Sequence, residues 1–142
     1  MKTLLFIPFL FMCSMVIGQS SKQIIGTPKI IVTPTGRLEV AQNDFLPMNM
    51  NYNDAVKACK ALGSGWRLPS KDELHSLFIN KDFIGGFERV HYWSSTLVPK
   101  KDEYDKSQNL YTMCVTTGVY ASTPFYYFTK EVGRVRAVRT NN

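Results

Sequence analysis

The chain has 142 residues, 44% of them hydrophobic and 13% aromatic, with 17 Lys and Arg against 11 Asp and Glu. That length allows one domain plus a tail, and that composition supports a packed core and excludes disorder throughout. The net charge of +6 biases the molecule towards anionic partners without defining a site.

Residues 1–18 read as a signal peptide. Lys2 supplies the positive start, residues 4–17 are apolar but too short for a membrane span, and Val16 and Gly18 suit cleavage after Gly18. Lipoprotein processing at Cys13, with Leu10 suitably placed, is the rival reading; bulky Met12 and the apolar residues that follow count against it. The expectation is an exported protein, periplasmic, cell-surface or secreted, with no transmembrane span after signal removal. Loss of Lys2 leaves 16 basic residues against 11 acidic ones, a charge of +5. Cys59 and Cys114 remain, and in an oxidising compartment they read either as one disulfide, worth about 4 kcal/mol, or as two buried free thiols.

Residues 19–29 read as a polar tether and 30–142 as a single domain. "KIIVTPTGRLEVA" predicts a hairpin around Thr33-Pro34-Thr35-Gly36, where Pro and Gly suit a type I turn. "NYNDAVKACKALG" predicts a helix capped by Asn51 and stopped by Gly63, with Tyr52, Ala55, Val56, Cys59 and Leu62 on one face. "PSKDELHSLF" predicts a second helix, opened by a Ser70/Glu73 capping box and burying Leu74, Leu77 and Phe78.

After Gly85-Gly86 the pattern turns to strands: "HYWSST", "LYTMCVTTGVYA" with a turn at its glycine, "FYYFT" and "RVRAVR". Residues 98–109 form a long charged loop. Helices and strands in this order give an α+β class with an antiparallel sheet.

The motifs of common chemistries are missing: no HExxH, CxxC, Walker loop or nucleophile elbow occurs, and no cofactor is expected. Ser94, His91 and an acid could be assembled into a triad only on paper, and His75 reads as a surface or boundary residue. Asp102, Glu103, Asp105 and Asn109 lack EF-hand spacing and are interleaved with Lys100, Lys101 and Lys106, so a solvated charged loop is the simpler reading than calcium. No nucleic-acid motif is present. In residues 125–128 both strand parities are apolar, which implies a strand covered on both faces; the alternative exposes Tyr126 for ligand contact.

Taken together, "NYNDAVKACKALGSGWRLPSKDEL", "YWSST" and the terminal "VRAVR" resemble the Lcl C-terminal domain family, which is related in pattern to the Fibrobacter major paralogous domain. The resemblance spans about residues 36–140. It implies a C-type-lectin-like fold, with two helices flanking a small antiparallel sheet and a long loop region on one side. It makes Trp66, Arg67, Leu68, Pro69, Trp93, Ser94, Ser95, Arg136 and Arg139 a structural motif, with Arg67 a fixed donor to nearby carbonyls or a carboxylate. The family commonly has a cysteine in its last strand that pairs with the first-helix cysteine. Here that position is Ala137, so a Cys59–Cys114 pair would be a relocated bridge. The calcium-dependent sugar motifs of true C-type lectins and the reactive cysteines of formylglycine-generating enzymes are absent, and neither activity is carried over.

The expected function is an exported, non-enzymatic binding or adhesion-type module for a glycan, another polyanion or a surface protein. A structural or assembly component of the cell envelope that docks a partner protein is the second reading, and an enzyme the last. Lys100, Lys101, Tyr104, Lys106 and Tyr126 are the candidate ligand contacts, because function concentrates on loops carried by a rigid scaffold.

Overall fold

The computed structural model describes residues 20–45, 49–100, 109–124 and 133–141. The chain forms α1 (Ser21–Ile25), β1 (Lys29–Thr33), β2 (Gly36–Val40), α2 (Tyr52–Ala61), α3 (Lys71–Ile79), α4 (Lys81–Ile84), β3 (His91–Leu97), β4 (Asn109–Cys114), β5 (Val119–Pro124) and β6 (Val138–Asn141). This is a mixed α+β architecture with two antiparallel three-stranded sheets, ordered β1-β2-β6 and β3-β4-β5, where a single sheet was expected.

The local signals act as their chemistry requires. The Asn51 side chain accepts the Asp54 N–H at 2.9 Å, which satisfies a donor that helix geometry leaves open. At α3 the Ser70 hydroxyl accepts from Glu73 N–H, and the Glu73 carboxylate accepts from Ser70 N–H at 2.8 Å. Gly63, with φ 77°, lets the chain leave α2 in a conformation that disfavours side chains.

Residues 20–28 correct the tether expectation. α1 carries its own Ser20/Gln23 capping box, and Ile24 is buried in the core. α4 had no strong sequence signal; it is one turn ending at Gly85. The expected "RVRAVR" strand is mostly irregular: only Val138–Asn141 is a full strand, and it pairs with β2. The "FYYFT" segment lies outside the described residues.

The core has two parts, and the second sheet lies between them. Successive strand residues point to opposite faces. Accordingly Trp93 joins Ile24, Phe45, Ala55, Cys59, Trp66, Leu68 and Val135 on the α2 side. Its neighbour Tyr92 joins Ile31, Leu38, Leu74, Leu77, Met113 and Val138 on the α3 side.

Residues 133–141 bind these parts together. Gly133 exchanges backbone hydrogen bonds with Met50; Arg134 bonds to His91 and Trp93, Ala137 to Ala41, and Val138 to Arg67. Within this segment Arg136 is 1% exposed. Its Nε donates to Asp44 Oδ1 at 2.6 Å, Nη1 to Gly85 O at 3.2 Å and Nη2 to Gly86 O at 2.9 Å. Its guanidinium also lies 4.4 Å from the centre of the Phe87 ring. Asp44 accepts in addition from the Tyr92 hydroxyl at 2.8 Å and pairs with Arg134. Gly86, at φ +72°, stands in a backbone conformation that L side chains rarely adopt, which favours glycine where the chain presents its carbonyl to Arg136.

Removing one member of a buried pair leaves an uncompensated charge. Arg136→Met should therefore cost about 3 kcal/mol or more, seen as a lowered urea midpoint. Arg136→Lys should recover little of that loss, because one ammonium lacks the planar fork that reaches Asp44, Gly85 and Gly86 together.

Candidate functional site

The most recognisable phrases of the sequence meet one another. β3 carries an irregularity between Trp93 and Leu97, where its register against β4 shifts. There the Ser94 hydroxyl donates to Tyr111 O at 2.7 Å, Ser95 N–H donates to Pro69 O at 2.8 Å, and Lys71 N–H donates to the Thr96 hydroxyl at 2.9 Å. "YWSST" thus receives "RLPSK" and fixes where α3 begins. Trp93 Nε1–H donates to Met50 O at 2.9 Å. Arg139 pairs with Glu39 and covers the Trp66 ring at 4.8 Å.

Arg67 occupies the same junction. It makes a fork of two hydrogen bonds, 2.7 and 2.8 Å, to the Glu73 carboxylate, while its backbone bridges to Val138. Glu73 therefore serves the Ser70 cap and the Arg67 fork at once. Burial alone would raise the Glu73 carboxyl, but the Arg67 and Ser70 hydrogen bonds outweigh it and hold the group below its ordinary range. Trp66, Arg67, Leu68, Pro69, Trp93, Ser94, Ser95, Arg136 and Arg139 are engaged with the scaffold. Ser94 is buried with its hydroxyl committed to Tyr111 O, and His91 is exposed.

The Cys59–Cys114 bridge is not formed. Cys59 is packed on the inner side of α2 within the first core cluster, and Cys114 sits at the end of β4, its Sγ 3.4 Å from the Thr116 hydroxyl. Burial pushes the Cys59 thiol up to about 12. Burial also acts to raise Cys114, but hydrogen bonds from Thr116 and Thr117 outweigh it and leave that thiol below its ordinary value.

Of the expected ligand contacts, Lys101, Tyr104, Lys106 and Tyr126 lie outside the described residues, and Lys100 is exposed at the start of that loop. The open chemistry among the described residues lies elsewhere. A groove of about 420 Å³ runs between the hairpin turn and α3, lined by Val32, Pro34, Lys71, Asp72, His75, Ile79, Asn80 and Tyr120, with Ser76 below. The Lys71 ammonium stands 4.4 Å from the Tyr111 ring centre and 5.2 Å from that of Tyr120. The two rings meet edge to face at 6.2 Å, and the Tyr120 hydroxyl donates to Lys71 O at 3.3 Å. Farther along, Lys81 lies over Phe78 at 5.0 Å and Lys29 over Phe83 at 5.2 Å.

The groove was missed because its residues come from a hairpin, a helix and β5. Only the 71, 75, 79 spacing on α3 hinted that Lys71, His75 and Ile79 share a side. Among the described residues no group of three His, Cys, Asp or Glu side chains is placed to hold a metal ion. Compared with protein-family models and with curated proteins, the chain matches none.

Two outcomes follow. Arg67→Lys should lower stability by about 1 kcal/mol, a figure reduced for the partial exposure of the pair. Because Glu73 is lowered in the fold, its contribution is present above the unfolded carboxylate pKa of about 4.3 and is lost as pH falls through the folded value; Glu73→Gln should flatten that acid limb of a stability–pH curve. Separately, Cys59 should resist alkylation in the native protein, and both Cys59 and Cys114 should react after denaturation without reductant. A bridge would leave neither titratable.

Proposed function

We propose that the chain is an exported, non-catalytic binding module with a C-type-lectin-like fold, and that it takes an anionic glycan or a similar polyanion. The observation that carries this reading is the Lys71–Tyr111–Tyr120 cluster at the edge of the α3 groove. An ammonium held against aromatic rings is positioned in advance, so an incoming sulfate or carboxylate meets a charge whose side chain has already lost much of its freedom. Sugar C–H faces suit the aromatic and aliphatic walls, and Asp72, His75 and Asn80 offer hydrogen bonds to hydroxyls. The basic charge of the chain, +5 once residues 1–18 with Lys2 are removed, favours such partners at long range. Export rests on the signal-like first 18 residues, and the fold name rests on the motif resemblance.

The test is chromatography of the full chain on an immobilised sulfated glycan. Retention at low ionic strength and release by about 1 M salt, where screening is within roughly 3 Å, is expected. Lys71→Ala and Tyr120→Ala should each move elution to lower salt with no change in far-ultraviolet circular dichroism. An unretained wild type would sink the polyanion reading. Retention that both variants leave untouched would remove the groove from it.

A further inference from the structure

α2 carries a stripe that the core covers only in part: Tyr52 and Val56 pack against the first core cluster and remain half-buried. Ala55 and Cys59 are buried, whereas Tyr52, Val56 and Lys60, at i, i+4 and i+8, occupy an adjoining side of the helix. With Arg67, Leu68 and Ser95 they enclose a slot of about 160 Å³.

The walls of this slot are fixed from behind. Tyr52 stands edge-on to buried Trp93, with ring centres 5.7 Å apart. Leu68 is a core residue. The head of Arg67 is clamped by Glu73, so its stem forms a wall. The Ser95 backbone is tied to Pro69. Walls that need no rearrangement cost a ligand little ordering energy.

Size and charge define the occupant. An apolar cavity of about 150 Å³ is enough for a benzene ring, so this slot suits one Leu, Ile or Phe side chain. Among its lining residues Lys60 is the exposed, unbalanced cation, since the charge of Arg67 is balanced by Glu73; Lys57 is exposed one turn earlier on α2, outside the lining. A sugar or phosphate polymer brings no apolar knob of that size, whereas a polypeptide does.

We propose that this slot receives one apolar side chain from an acidic peptide segment of a partner protein, with the carboxylates beside that side chain meeting Lys60 and Lys57. The interaction is a buried anchor surrounded by charge at the rim, the arrangement in which a few side chains carry most of the affinity. It is separate from the α3 groove and shares no residue with it.

The test is fluorescence anisotropy of the full chain with two labelled probe peptides, Glu-Glu-Leu-Glu-Glu and Glu-Glu-Ala-Glu-Glu. The Leu probe should bind at least about tenfold more tightly than the Ala probe, since the extra carbons leave water. Lys60→Glu should weaken the Leu probe several-fold. Val56→Trp fills the slot and should erase the Leu–Ala difference. Lys71→Ala should leave peptide affinity unchanged while affecting glycan retention, which separates this proposal from the preceding one. Equal affinity for the two probes, no binding of either, indifference to Lys60→Glu, or loss on Lys71→Ala would each overturn it. Lys60 is exposed, so that variant and the probe pair decide the question even if Val56→Trp fails to fold.

Discussion

A guanidinium that is taken out of water must find its partners in the protein, and Arg136 finds them in three places. Asp44 follows the first sheet, Gly85 and Gly86 follow α4, and Phe87 leads towards β3. No apolar side chain could specify those positions at once, because apolar contacts lack direction while the planar fork fixes angles as well as distances. Asp44 shares its carboxylate among Arg136, Arg134 and the Tyr92 hydroxyl, which burial holds neutral by raising its pKa first, with the neighbouring Asp44 charge adding to the effect. The connection between the two sheets is thus an electrostatic lock set between two apolar clusters.

The arrangement of the core follows from that lock. With residues 133–138 laid beside β3 and across to β2, the second sheet is covered on both faces. Tyr92 and Trp93 can then both be buried although they are adjacent in the chain. The junction between Arg67, Glu73, Ser70, Pro69 and Ser95 sets the start of α3 in the same way, through hydrogen bonds that converge on a short loop. Both sites commit the recognisable residues to holding the scaffold. Side chains not committed in this way lie at the margins, where Lys71 lies against tyrosines and where α2 leaves a slot beside Arg67.

Much of the local structure was legible in the chain. The hairpin turn, the caps at Asn51 and Ser70 and the stop at Gly63 depend on neighbours within about four residues, so a linear reading can weigh them. The segment around Ile24 was misread because short polar stretches resemble linkers whenever their one buried residue has no periodic companions. "RVRAVR" looked like a regular strand because alternation predicts pairing, yet its middle is held by side-chain bonds to Asp44 and by separate bridges. The candidate grooves were hardly legible, since Tyr120, His75 and Val32, or Val56 and Ser95, are brought together only by packing.

The sequence by itself determined the α+β class, the ends of the two main helices, the basic charge and the short motifs, because each rests on composition or on chemistry between near neighbours. Only the tertiary structure decided that there are two sheets, that Cys59 and Cys114 remain apart, that Arg67 answers Glu73, and that Asp44 is the buried carboxylate shared by two arginines. The physical reason is range. Partners such as Asp44 and Arg136 are 92 residues apart, and nothing in their local sequence encodes which buried charge will answer which until the apolar clusters have excluded water around them.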